Sequence, residues 1–217
     1  MRRNLSELDV RRLLASGPVV LVTTSWHGVA NVMPVAWSMP LSHEPPLVGI
    51  AVHPSRHTYD MIRFSEEFAL NFPGRRLMNH VQYLGMVSGR DVQKLDVTKL
   101  PTFKAQRVDA PLLEGCLAWV ECAVEEVLRL GDHHLFVGKV LAAQAEREAF
   151  EEAWLLADDD FKPLHHLGSD LYAILGERQQ AKLRTTEEGA IDLGETAEER
   201  EQREEEEALR REQEEKG

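Results

Sequence analysis

The sequence predicts a mainly-β protein, an antiparallel barrel that is closed or nearly closed and carries a few peripheral helices. Two features favour it: apolar residues gather in short runs rich in Val, Ile and Thr, as strands require, and tight-turn pairs join successive runs into hairpins. A third excludes the main rival, because the regular strand–helix alternation of a doubly wound sheet is absent. At 217 residues and 43% hydrophobic content, the chain suits one domain with an appendage.

In chain order, "NLSELDVRRLLASGP" reads as an amphipathic helix capped by Ser6, with Leu5, Leu8 and Leu13 on its apolar side and Gly17–Pro18 as its stop. "VVLVTTSW" and "VANVMPVAWSMPLS" flank His27–Gly28 and form a hairpin; Pro34 and Pro40 put the second strand at an edge or a bulge. "PPLVGIAVH" is a third strand and "EEFALNF" a fourth, with the short helix "SRHTYDMIRFS" between them and Ser55 as its expected cap. "RRLMNHVQYLGMVSG" sets Leu77, Val81, Leu84 and Val87 at helical spacing and ends at Gly89. "LEGCLAWVECAVEEVLRLGDHHLFVGKVLAAQAE" gives two long strands about a turn at Gly131–Asp132, and one short strand around Tyr172 closes the body. The body is expected to span 1–183. The remainder, 184–217, is a charged extension with hardly any large apolar residue, expected to be helical from its Glu/Arg pairs.

Charge narrows the function. The net charge is -12, from 37 acidic and 25 basic residues. Between Glu195 and Lys216 lie 11 acidic and 5 basic residues, half of that net charge, so the body is only mildly acidic. No basic stripe suits nucleic acid, and no apolar run reaches the length of a membrane span. "MRRNLSELDVRR" lacks the apolar core of a secretory signal, which points to the cytoplasm. Cys116 and Cys122 alternate onto one strand face, too far apart for a bridge and without zinc spacing, so buried reduced thiols are expected.

The familiar catalytic signatures are missing: GxxxxGK[ST], GxGxxG after a strand, GxSxG and HEXXH. The doublets His133–His134 and His165–His166 place neighbours on opposite strand faces, so no metal site is expected. Four stretches remain. In "VHPSRHT", the free N–H groups of a helix start would sit beside Ser55, Thr58 and the Arg56 guanidinium, an arrangement that binds anions; an ordinary Ser cap accounts for the same residues. "ANVMPVAWSMPLS" holds Asn31, Pro34, Ala36 and Ser38 on a strand with free backbone groups, which a flat ligand could use, or which simply marks an irregular edge. "SGRDVQKL" sets Arg90 and Lys94 after a glycine turn, as binding groups or as a solvated loop, and "GDHH" puts His133 at a hairpin tip.

In this order and spacing, "VVLVTT…GVANVMPVAWSMPLSHEPPLVGIAV", "HPSRHTYDMIRFSEEFALNFP", "LGMVSGRDVQKL", "APLLEGCLAWVECAV" and "GDHHLFVGKV" resemble the flavin reductase-like proteins, which include flavoredoxin and ferric reductases. The resemblance covers about Gly17 to Glu177 and implies a split β-barrel that binds FMN. It implies that the flavin ring lies along "NVMPVAWS", at Asn31, Met33, Val35, Ala36, Trp37 and Ser38, with Val52 nearby. Ser55, Arg56 and Thr58 would hold the phosphate, Asn71 and Lys94 would reach ribityl or phosphate oxygens, and His133 would stand at the flavin face as the catalytic candidate. A homodimer with FMN near the interface is implied, with NADH or NADPH as donor and free flavin, ferric iron or another small acceptor. A flavin-binding electron carrier, or a protein that stores or senses FMN, would use the same site. Three features depart from the family: the histidines of "HPSRHT", the doublet in "LHHLG", and the acidic tail.

Overall fold

The structure, a computed structural model, describes residues 13–14, 16–181, 184–185 and 191–192. The chain divides into two units, Met1–Arg178 and Gln179–Gly217. The expected N-terminal helix lies outside the described residues except for Leu13 and Leu14, which are helical and exposed. The expected helical tail also lies outside them, except at β12 (Arg184–Thr185) and β13 (Ile191–Asp192), which instead form a short antiparallel pair.

The first unit is built on a seven-stranded antiparallel sheet: β1 (Val20–Trp26), β2 (Val29–Val35), β3 (Ser38–Ser42), β4 (Leu47–Val52), β5 (Glu67–Pro73), β8 (Cys116–Leu130) and β9 (His133–Ala145). Its order is β2-β1-β5-β8-β9-β4-β3. The turn between β1 and β2 has positive φ at both His27 (50°) and Gly28 (76°), the backbone of a tight hairpin turn. The pairs β6 (Thr102–Phe103) with β7 (Leu112–Leu113), and β10 (Leu164–Gly168) with β11 (Leu171–Ile174), lie outside this sheet. The region around Tyr172 is therefore a two-stranded hairpin rather than the one strand expected.

The expectation that "VANVMPVAWSMPLS" forms one strand is corrected, and the correction locates the barrel's seam. The segment breaks at Ala36–Trp37 into β2 and β3, the two opposite edges of the sheet. In a flat sheet those edges would be about 29 Å apart at ordinary strand spacing. Two linking residues span at most about 11 Å. The sheet must curl until its edges meet, so the break at Ala36–Trp37 is where the barrel closes. The β3–β4 ladder runs on into the break, where the Ala51 N–H donates to the Trp37 carbonyl at 3.0 Å.

Alternation along the strands makes two cores. Val20, Val22, Ile50, Val52, Phe68, Leu70, Cys122 and Phe136 fill one, inside the barrel. Gly138 is needed there, because a Cβ at that position would lie 2.5 Å from Cζ of Phe68. Val19, Leu21, Ala69 and Trp119 point the other way, against Leu77, Val81, Leu84 and Leu113. The expectation that Cys116 and Cys122 share a face fails. An irregularity in the β5–β8 register at Phe72/Pro73 shifts the alternation, so Cys116 joins the outer core and Cys122 the inner one. Both are free and buried, and burial raises both thiols above their ordinary range.

Three further helices lie among the described residues of the unit. α1 (His57–Ser65) buries Thr58, Met61 and Ile62. α2 (Met78–Met86) follows a 3₁₀ turn at Arg75–Leu77 and buries Val81 and Leu84, as its spacing predicts. α3 (Lys94–Thr98) is a single short turn. Among the described residues, no helix is long and apolar enough to cross a membrane.

Candidate functional site

The seam opens into a cavity of about 710 Å³, within the roughly 300–1,000 Å³ range of small-molecule and cofactor sites. Asn31, Met33, Val35, Ala36 and Trp37 form one wall, and Val52 lies beside them at the end of β4. Ser55, Arg56 and Thr58 line one end with Lys94; His133 lines the cavity from β9.

The end near α1 is cationic. Arg56 occupies the N-cap position of α1, and no side chain caps the helix start. The expected Ser55 cap is thus absent. The Ser55 hydroxyl turns instead to Nδ1 of His53, 2.8 Å away, because the intervening turn brings the two together (Arg56 N–H to His53 O, 3.0 Å). Thr58 is buried, and its Oγ1 accepts a hydrogen bond from the Asn31 amide at 2.8 Å. Lys94 is only 5% exposed. Its ammonium donates to the Leu84 carbonyl at 2.7 Å, and burial, with the nearby Arg56 charge, lowers it to about 8. Among the described residues neither Arg56 nor Lys94 makes an ion pair with a carboxylate.

Arg90 holds this end together from outside. Its guanidinium donates to the Ser55 carbonyl and to Asp60 Oδ2 at 2.6 Å, tying the loop before α1 to the loop after α2. His57 lies between these groups. Burial first, then Arg90, lowers its pKa; Asp60 opposes and Lys94 adds to the lowering. Gly89 lets the loop after α2 pack closely on β2 and the start of α1, since a Cβ there would meet Asn31 Oδ1 at 2.2 Å and His57 Cδ2 at 2.8 Å. Unpaired cations, a buried hydroxyl and an uncapped helix start are a donor set for a phosphate group.

The part near β9 is aromatic. The His133 ring lies 4.8 Å from Trp37 and 5.2 Å from His53, centroid to centroid. Asp132 Oδ1 accepts from its Nδ1 at 2.8 Å, and that hydrogen bond holds the exposed Asp132 carboxyl below the usual carboxylate range. His134 faces away and meets the Tyr59 hydroxyl at 2.6 Å, while His165 contacts the Ser16 carbonyl and its neighbour His166 lines the cavity. The strand alternation therefore splits both doublets. Among the described residues, no group of three or more His, Cys, Asp or Glu is placed to hold a metal.

Two candidate residues do not reach the cavity. Ser38 pairs with Ile50 across β3–β4. Asn71 is fully buried in the sheet: its amide donates to the Leu21 carbonyl (2.8 Å) and Thr23 Oγ1 (3.0 Å), and its oxygen accepts from the Leu113 N–H (2.7 Å). Conversely, the wall formed by 84–89, where the end of α2 and its loop meet the seam, is not foreseen from the sequence. Gly89 reads there as a helix stop and as the glycine turn before Arg90, and nothing local in the sequence shows that it packs against Asn31 and His57.

The flavin reductase like domain model matches residues 11–165. The uncharacterized protein YddH of Escherichia coli strain K12 is 35% identical over 175 residues, covering 78% of this chain and 93% of that protein. The NADH-dependent flavin reductase StyB of Pseudomonas fluorescens is 28% identical over 130 residues, covering 60% and 72%. Among solved structures, an FMN-binding protein from Thermus thermophilus with bound p-hydroxybenzaldehyde superposes with a TM-score of 0.72 at 28% identity, covering 84% of this chain and 99% of that one.

Proposed function

The chain belongs to the flavin reductase-like family, and from that premise we propose that it is an FMN-dependent oxidoreductase, taking electrons from NADH or NADPH and passing them to free flavin, ferric iron or another small acceptor. The observation that carries this reading is the buried Lys94 beside Arg56, two cations facing a cofactor-sized cavity without a carboxylate between them. Burying an ammonium is costly, and a bound anion offsets that cost. The relatives named above, an NADH-dependent flavin reductase and an FMN-binding protein, support the same choice of ligand.

Arg56, Lys94, Thr58 and Ser55 would hold the phosphate. The outer edge of β2 from Met33, with Ala36 beyond it, would offer its backbone to the flat ring beside Trp37, since an edge without a ladder partner keeps N–H and C=O groups free. The chemistry supplied by bound FMN is acceptance of a hydride equivalent and onward transfer of electrons, singly or in pairs. His133, braced by Asp132 and tilted against Trp37, would orient the donor at the ring.

We also read the protein as a homodimer with the cavity near its interface. The edge strand β3 leaves Met39 and Leu41 exposed beside Trp37, apolar surface next to the seam. The buried free thiols suit a reducing, cytoplasmic setting.

The test is an absorption spectrum after adding FMN and desalting, followed by anaerobic NADH or NADPH. Flavin bands that survive desalting and bleach with the nicotinamide support the reductase. Bands that only dithionite bleaches would replace it with a flavin-binding carrier or sensor. Absence of retained flavin would remove the phosphate reading of Arg56 and Lys94.

A further inference from the structure

The histidines of "HPSRHT" have separate tasks. His57 belongs to the network of Arg90, Asp60 and Lys94, whereas His53 lines the cavity just before the helix and faces Ser55. Nδ1 of His53 meets two groups of that one residue, the Ser55 N–H at 3.1 Å and the Ser55 hydroxyl at 2.8 Å. A backbone N–H only donates, so Nδ1 is the acceptor and carries no proton here; the hydroxyl must donate to it as well. The contact has the span of an Asx turn, in which a side-chain acceptor takes the N–H two residues on.

Those bonds bear on anion binding. Ser55 lines the cationic end with Arg56, Thr58 and Lys94, yet both its donors are spent on His53. Its hydroxyl then turns only lone pairs outward, which a phosphate oxygen, itself an acceptor, cannot use. The backbone at Ser55 is already held in place: its carbonyl accepts from Arg90, and the next N–H, of Arg56, donates to the His53 carbonyl at 3.0 Å. Exchange of partners therefore needs the hydroxyl to rotate and the half-buried imidazole to swing aside, with no change in the turn. The exchange is favourable. On His53 two donors share a single lone pair, whereas a phosphate offers several lone pairs and a charge, and charge-assisted hydrogen bonds are about twice as strong as neutral ones.

We propose that His53 is a placeholder for the phosphate: it satisfies the Ser55 N–H and hydroxyl while the cationic end is empty, and it yields both to a phosphate monoester. This role rests on reading the cavity as the FMN site, and it gives His53 a positioning task that acts through Ser55. The affinity for FMN is then lower than the donor set alone would give, by the strength of the two bonds that must be exchanged. Riboflavin, which has the same ring and ribityl chain but no phosphate, draws neither donor away from His53.

The experiment is titration of the flavin-free full chain with FMN, riboflavin and inorganic phosphate. His53→Leu, which removes the competing acceptor, should bind FMN about fivefold more tightly and leave riboflavin within about twofold of wild type. His53→Asn keeps an acceptor for the same N–H and should return FMN affinity toward wild type. Ser55→Ala should weaken FMN about twofold or less by itself and about tenfold in the His53→Leu background, a coupling that a general loosening of the loop does not produce. In nitrogen NMR spectra of the labelled imidazole rings, the His53 Nδ1 resonance should move at saturating inorganic phosphate. Unchanged or weaker FMN binding by His53→Leu, additive variants, or a resonance that phosphate does not move overturns the proposal. Failure of the FMN reading looks different: FMN then fails to bind, while the phosphate titration and the Nδ1 resonance still test His53 and Ser55 directly.

Discussion

Asn31 and Asn71 are both buried asparagines on neighbouring parts of one sheet, yet they belong to different kinds of region. Asn71 sits mid-sheet on β5, with its side chain committed to Leu21, Thr23 and Leu113. Asn31 sits on the edge strand β2, spends one amide hydrogen bond on Thr58, and faces the cavity. Mid-sheet, every backbone group has a ladder partner, and a polar side chain serves to tie in a loop. At the seam the ladder stops, and the same side chain becomes available to a ligand. The cavity lies where the strand is interrupted and the two edges of the sheet come together.

That contrast can be broken experimentally. The largest effect is expected from Asn71→Leu, which leaves the Leu113 N–H without its partner and should cost about 3 kcal/mol of stability in chemical denaturation. FMN affinity of the folded fraction should stay within about twofold. A variant of normal stability that bound FMN poorly would move Asn71 into the site and erase the distinction.

Next comes Gly89→Ala. Its Cβ would clash with Asn31 and His57, so the 87–90 loop must retreat from the cationic end. FMN affinity should fall about thirtyfold, roughly 2 kcal/mol, measured by fluorescence quenching of the flavin. Unchanged affinity would show that the loop does not bear on the ligand.

A third effect is pH-dependent. Lys94 is lowered from 10.5 to about 8, so in the ligand-free fold its ammonium is disfavoured. The destabilisation is fully present below pH 8 and is relieved as pH rises toward the unfolded value. A phosphate dianion favours the charged form, so FMN affinity should weaken above pH 8, by up to about tenfold per pH unit (about 1.4 kcal/mol). Lys94→Met should bind more weakly at neutral pH and lose this slope. A wild-type affinity flat from pH 7.5 to 9.5 would remove Lys94 from the phosphate site.

The smallest effect on binding should come from His133→Ala, at the aromatic part of the cavity. FMN should still bind, while anaerobic reduction by NADH slows about fivefold, roughly 1 kcal/mol, in stopped-flow absorbance. Normal reduction would leave His133 as packing for Trp37 alone.

Much of the fold was legible because local rules suffice for it. The β1–β2 and β8–β9 hairpins follow from alternating apolar runs and the turns at His27–Gly28 and Gly131–Asp132. The α1 and α2 helices follow from 3.6-residue spacing. The break at Ala36–Trp37 was not legible, because the segment on either side is extended and only the strand order reveals two edges. The common face assigned to Cys116 and Cys122 failed because one register irregularity reverses the alternation beyond it.

For the site, the sequence by itself singled out the chemical groups on which the proposal rests: Ser55, Arg56 and Thr58 at a helix start, Lys94 after a glycine turn, and a strand from Asn31 to Trp37 that cannot be fully laddered. Residue type and local backbone preference are encoded within a few positions, so they can be read without the fold. Tertiary structure alone decided that Lys94 is buried against the Leu84 carbonyl, that Asn71 is consumed inside the sheet, and that His166 lines the cavity beside the end of α2. Those outcomes depend on curling a seven-stranded sheet until residues far apart in sequence share one cavity. Burial and hydrogen-bond partners exist only once that closure has occurred.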